Sequence, residues 1–317
     1  MRTRPAALFV AALFAALVPT NRISAQIIAT SDTFGSGGNA FSIDFVSIGN
    51  AGNAADTTTY GAVPYEYRVG KYEISQDAIN KATASGMANV TAGSWTGSQP
   101  AATINWYEAA AFVNWLNTST GKTAAYDLSF SGGSWSMTLW SSADAWTAGG
   151  ENLYRNKDAY YFLPSDNEWY KAAYFNPAGS NYFLFPTASS SVPTYMDGGT
   201  NMSSAVYNMP PTQGPAAVDS AGGLSPYGTM GQGGNVGEWN ESAHDGRNNS
   251  SSVFRAVRGG GWFSSEDRLR SSNRGSIDPS LEGGELGFRV ASVPEPSTYA
   301  LLLMTGAGAL LWARRRR

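Results

Sequence analysis

Glu238, Glu241, His244 and Asp245 fall within one short stretch, and Arg258, three glycines, Trp262 and the serines at 264 and 265 follow them closely. These residue types suggest several chemistries. Two carboxylates can act as acid and base in glycoside hydrolysis, but nearness in sequence does not set the separation across a sugar that the reaction needs. A Ser-His-Asp relay through His244 and Asp245 would need a nucleophile elbow, and the chain has no Gly-x-Ser-x-Gly. His244 is the only histidine and there is no cysteine. Neither a two-histidine iron triad nor a thiolate site for copper can therefore be built. Hard oxygen donors remain, and they suit calcium.

Local signals indicate the elements that must position these residues. Phe41-Ser42-Ile43-Asp44-Phe45 and Tyr65-Glu66-Tyr67-Arg68-Val69 alternate apolar and polar residues, as half-buried strands do. Ser75 can cap a helix stapled by Ile74 and Ile79 and ended by Gly86. Asn105 and Glu108 have capping-box spacing, and behind them Ala109, Phe112, Val113 and Leu116 form one apolar helical face. Ser165 and Glu168 predict a second box, with Trp169, Ala172 and Ala173 turned inward and Pro177 past the end. Residues 127–150 read as an inserted hairpin. From about Tyr182 to Tyr227 there is no sustained period, so long ordered loops are expected there, held by aromatic plugs or a metal ion.

The two ends read as addresses. Arg2 and Arg4, an apolar run over 6–18 and a small-residue exit at Ser24-Ala25 predict a signal peptide over 1–25. The last residues are "VPEPSTYALLLMTGAGALLWARRRR". Their apolar segment, 299–313, covers roughly 22 Å at ~1.5 Å per residue, against about 30 Å of hydrocarbon. It spans only with bilayer thinning or snorkelling arginines, and the arginine cluster belongs on the cytoplasmic side. Without Arg2, Arg4, Arg22 and Arg314 to Arg317 the 21 basic residues fall to 14, and without Glu295 the 24 acidic ones fall to 23, so the body is near −9. That charge disfavours nucleic acid, which needs a basic face.

The triplet Pro294-Glu295-Pro296, the short apolar segment and the terminal arginines resemble the PEP-CTERM sorting signal over 293–317. The resemblance implies export in a Gram-negative bacterium, transient membrane anchoring, processing by an exosortase, and a final place at the cell surface or in the extracellular matrix. The body carries four ordered segments: "INWYEAAAFVNWLN", "YYFLPSDNEWYKAAYF", "YGTMGQGGNVGEWNES" and "VRGGGWFSS…LRSSNRG…LGFRVA". Together they resemble the formylglycine-generating enzyme, or sulfatase-modifying factor, domain over 41–291. This implies an α+β, C-type-lectin-like fold with small twisted antiparallel sheets, two main helices and long ordered loops.

In that family the oxidising members hold copper through two thiolates behind Arg-Gly-Gly. Here Ser264 falls at about the first position and the second falls near Ser265 to Asp267, so copper and the oxidase reaction are not expected. The family's calcium loop carries over to the Gly234 and Val236 carbonyls and the Glu238 carboxylate. Its early side-chain ligand falls on Gly231, and its first tryptophan is replaced by Gly237. A weak calcium site is one expectation; pairing of Glu238 with a buried arginine is the other. Arg258, Arg270, Arg274 and Arg289 match the family's recurrent basic positions. They are expected to tie loops together around a structural corner plugged by Trp262. These readings favour a non-catalytic binding or structural module that takes polysaccharide or a surface protein. An enzyme of other chemistry and a glycan-binding module are the alternatives.

Overall fold

The computed structural model describes residues 29–91, 93 and 95–293. The leader, Pro294, Glu295, Pro296 and the apolar tail lie outside the described residues. The elements in chain order are β1 (Ala29–Phe34), β2 (Phe41–Ile48), β3 (Tyr67–Gly70), α1 (Gln76–Ala84), α2 (Trp106–Ser119), β4 (Asp127–Ser131), β5 (Ser134–Thr138), β6 (Ala145–Trp146), β7 (Asn152–Asn156), β8 (Tyr161–Phe162) and α3 (Asp166–Tyr174). Then come β9 (Phe175–Asn176), β10 (Asn181–Tyr182), β11 (Thr194–Tyr195), β12 (Ser204–Ala205), β13 (Gly237–Ala243), β14 (Arg255–Arg258), β15 (Gly275–Ile277), β16 (Leu286–Gly287) and β17 (Ala291–Ser292).

Each helix starts where its sequence supplies a cap. Ser75 accepts from the Ala78 amide, and both capping boxes close, Asn105 with Glu108 and Ser165 with Glu168. These acceptors satisfy amides that a helix start otherwise leaves unpaired. The apolar face of α2 is fully buried at Ala109, Phe112, Val113 and Leu116. Phe112 meets Phe288 edge-on at 5.6 Å and lies 6.3 Å from Phe41. Each such large side chain contributes roughly 1.5–3 kcal/mol through burial.

Two sheets flank this core. One runs β1-β2-β3-β17-β8 and places the last described strand between the third and the eighth. The other runs β15-β14-β13-β16, with β16 parallel to β13. β2 follows its alternation, with Phe41, Ile43 and Phe45 buried and Ser42 and Asp44 exposed. β3 departs from its alternation: it starts at Tyr67, and Arg68 is buried because it pairs with Asp32 across the sheet at 2.7 Å. All seven residues of β13 are buried, Glu238, Asn240 and Glu241 included, so an aliphatic pattern could not reveal it. The inserted hairpin is β4 with β5.

The aperiodic stretch is held by aromatic plugs. Phe185, Ala205 and Tyr207 pack with Leu269, and the Tyr207 hydroxyl donates to the Pro193 carbonyl at 2.5 Å. β11 and β12 pair in parallel inside it. Among the described residues no helix is long and apolar enough to cross a membrane.

Candidate functional site: the glycine corner, its arginines and a polar cleft

The corner at 258–264 forms because only glycine fits there. A Cβ on Gly259, at φ +92°, would stand 2.9 Å from the Gln232 carbonyl, and one on Gly260, at φ +71°, 2.6 Å from the Arg268 Cβ. Trp262 is 3% exposed and packs with Ala102, Val206 and Val236. The Ser264 hydroxyl oxygen accepts from the Gly261 amide at 3.0 Å, so the side chain at the first thiolate position closes the turn. Ser265 precedes a short 3₁₀ turn over Glu266–Leu269. Beside the corner lies a hollow of about 470 Å³, whose lining includes Phe263, Arg268 and Glu285. Burial raises the Glu285 carboxyl above its ordinary value, and Arg268 partly offsets that. With hydroxyl oxygens in place of thiolates, this donor set does not fit Cu(I).

The arginines behind the corner are ties. Arg258 donates from Nε to Asp166 and from Nη1 to the Ser271 and Asn273 carbonyls at 3.1 and 2.7 Å. Arg274 takes the other Asp166 oxygen and donates to the His244 and Ala243 carbonyls at 2.8 and 3.2 Å. Asp166, the first residue of α3, thereby fastens that helix to β14 and to the chain after β13. Arg270 differs: it is part-exposed, pairs with exposed Asp267 at 3.1 Å and lies over Phe185. At the surface such a pair contributes little.

Glu238 is fully buried and already neutralised. Arg289 donates to its two oxygens at 2.6 and 2.5 Å, and Trp169 Nε1 adds a bond of 2.6 Å. The same guanidinium donates to the Gly70, Lys71 and Met230 carbonyls. Of the expected calcium ligands the arginine takes the Glu238 carboxylate; the carbonyls it gathers are others than those of Gly234 and Val236. Gly231 faces a second carboxylate: a Cβ there would be 2.8 Å from Glu73 Oε2. Glu73 accepts from the Val236 amide at 3.2 Å and from Asn235 Nδ2 at 2.6 Å. Burial, and then the Glu238 charge, raise its carboxyl well above the ordinary range. Gly234 is needed for close approach, since its Cβ would meet the Val206 carbonyl at 2.1 Å. Calcium held as in the family's loop would have to displace Arg289 from Glu238.

A further network had no signal in the sequence. Arg155 Nη2 donates to Glu168 at 2.9 Å and to Glu241 at 2.7 Å, with all three side chains at most 1% exposed. Tyr126 and Asn152 also donate to Glu241, and Tyr65 and the Ser165 amide to Glu168. Burial alone would raise Glu168; Arg155 and the Ser165 amide outweigh it and hold the carboxyl below its ordinary value. Glu241 stays raised, because its burial exceeds the relief Arg155 gives. Glu238 and Glu241 are therefore each committed to an arginine and do not form an acid–base pair.

Beside this network, with Arg155 in its wall, opens a cleft of about 250 Å³ whose lining includes Tyr60, Tyr65, Trp146, Asn167, His244 and Asn248. His244 lies at its exposed edge, its imidazole lowered by partial burial and then by the Arg274 charge.

The small sheets, the capped helices and the arginine-tied glycine corner define a C-type-lectin-like α+β domain of the formylglycine-generating-enzyme type. The chain belongs to the family of the sulfatase-modifying factor enzyme 1-like domain, whose sequence profile matches residues 39–293. The PEP-CTERM protein-sorting motif matches residues 292–317, which makes this an exported protein bearing a signal for exosortase processing and surface sorting. Among solved structures, variable protein 1 of Treponema denticola is 20% identical over 85% of this chain and 100% of its own, with a TM-score of 0.59. CarF is 17% identical over 80% of this chain and 99% of its own, at 0.57. These likenesses carry the fold alone. No curated protein matches the sequence.

Proposed function

We propose that this protein is a non-catalytic binding module, exported and released at the cell surface or into the extracellular matrix. The supporting observation is the commitment of Ser264: its hydroxyl is spent on the Gly261 amide where a redox site would need a thiolate. A serine hydroxyl stays protonated at neutral pH and is a hard, weak ligand for Cu(I). The signal peptide and the short anchor belong to the same proposal, as the route by which the domain reaches its place.

The test is direct. The purified full chain is loaded with copper and incubated with a cysteine-containing peptide under oxygen. No aldehyde should form above the copper-only background, and metal analysis should find no stoichiometric copper. Copper-dependent conversion of the peptide cysteine would overturn the proposal in favour of an enzyme.

A further inference from the structure

Resting on the reading of the domain as a binding module, we infer that the cleft between Trp146 and Asn248 binds a neutral sugar residue of a polysaccharide chain. Four observations converge on that class of ligand. The first is size. At about 250 Å³ the cleft is smaller than the roughly 300–1,000 Å³ of sites for drug-sized ligands, so it takes one ring and lets a chain run out into solvent.

The second is a pair of amides, each anchored through its oxygen. Asn167 Oδ1 accepts from the Gly61 amide at 3.0 Å, and Asn248 Oδ1 accepts from the Ala243 amide at 2.7 Å. Each bond fixes which end of the amide is oxygen. Both residues line the cleft, and among the described residues neither NH₂ group has a hydrogen-bond partner. Two anchored NH₂ groups are pre-oriented to donate to ligand hydroxyl oxygens, and little side-chain freedom is lost on binding.

The third is an aromatic wall. Trp146 is half-buried and backed by the Tyr65 edge at 5.4 Å and by Phe162 at 6.3 Å, and its Nε1 donates to the Ala148 carbonyl at 2.9 Å. Its ring is fixed and its polar atom is already used, which leaves apolar surface for the C–H face of a sugar. The Tyr65 hydroxyl is likewise spent, on Glu168 at 2.7 Å.

The fourth is charge. Arg155 is shared by Glu168 and Glu241, and Asp166 is shared by Arg258 and Arg274, so three guanidiniums are matched by three carboxylates. The remaining charged residues on the wall, Glu151 and Asp245, are exposed and acidic. The imidazole of His244 is shifted toward its neutral form by partial burial and Arg274. With no free cation on the wall, uronates, sulfates and phosphates are repelled, and a neutral hydroxylated ring is accepted.

The test titrates the full chain in detergent with neutral hexose oligosaccharides, with hexuronate oligosaccharides and with an unstructured peptide, following Trp emission and heat. Saturable binding of a neutral oligosaccharide alone is expected. Asn167→Asp and Asn248→Asp keep the acceptor that holds the loop and remove the donor; each should weaken binding about tenfold, the worth of one hydrogen bond at ~1.4 kcal/mol, with melting unchanged. Tighter binding of the hexuronate or the peptide, no neutral binding at millimolar ligand, or unaltered affinity in both variants would overturn the inference. Peptide oxidation by copper would overturn the module reading whatever the sugars do. Absence of both oxidation and sugar binding would remove only the cleft assignment.

Discussion

Replacing Arg155 by methionine should open a stability gap at neutral pH that acid largely closes. In the wild type one guanidinium holds two carboxylates, Glu168 and Glu241, in a site with no exposed side chain. Methionine fills much of the volume beside Phe162, whose ring lies 3.6 Å from the guanidinium carbon, but leaves both acids without a counter-charge. At pH 7 the least costly escape is to protonate them. From an ordinary carboxylate near 4.3 that costs ~3.7 kcal/mol each, at 1.36 kcal/mol per pH unit. The donors that remain, Tyr65, Tyr126, Asn152 and the Ser165 amide, keep part of the charge tolerable. The net loss should therefore be about 5 kcal/mol, in line with breaking a buried pair and comparable to a domain's whole stability. At pH 5 protonation costs only ~1 kcal/mol per group. In the wild type the two acids oppose each other: Glu168 is held below its unfolded value and loses its contribution as pH falls through the folded one, while Glu241 is held above its own and gains as pH falls, so the net change is small beside that of the variant. Urea melts of both proteins at pH 7 and pH 5 should show the gap narrowing by several kcal/mol in acid. A gap that stays constant, or a loss at pH 7 under ~1 kcal/mol, would refute the account of the network.

Further outcomes follow from the same interior. Arg258→Ala should cost about 3–5 kcal/mol by thermal melting, since it strips donors from Asp166, Ser271 and Asn273; a loss under ~0.5 kcal/mol would show that the corner holds without it. Chelation should leave the melting point unchanged, because Arg289 already gathers Glu238 and three carbonyls. A fall equivalent to roughly 0.4–1.4 kcal/mol at ~1 mM calcium would return the ion to that loop. Lys171 is lowered from 10.5 to about 8 by burial. Between those values the unfolded chain binds the extra proton, so this lysine makes stability rise as pH climbs from 8 toward 10.5. Lys171→Met should remove that rise and add about 2 kcal/mol at pH 7, an amount reduced by solvent reaching the exposed Asn50 whose carbonyl it meets. Equal slopes in variant and wild type would rule this out.

Local rules carried the sequence reading where the partners are near in the chain. Ser75, Asn105 and Ser165 bond three residues ahead, and their helices appear where the caps place them. Glycines 259 and 260 announced a close backbone passage that the packing contains. The reading failed where a charge is buried by a distant partner. Arg68 looked like the polar face of a strand because Asp32 is brought to it by sheet register. Arg155 carried no motif at all, since its two acids come from α3 and β13. Arg270 shares its motif with Arg274 yet stays near the surface, because the 3₁₀ turn at 266–269 sets its aspartate outside. The cleft was not legible either: Gly61 and Asn167 are far apart in sequence and meet only in the fold.

β17 ends one residue before the sorting triplet, and it is stitched between β3 and β8 rather than lying at a sheet margin. A pull on the chain beyond Val293 would load β17 in shear across both neighbours at once, which resists better than peeling from a border. Only Val293 stands between this strand and the sorting motif's triplet. Trimming the chain inward past Val293 would begin to remove an interior strand.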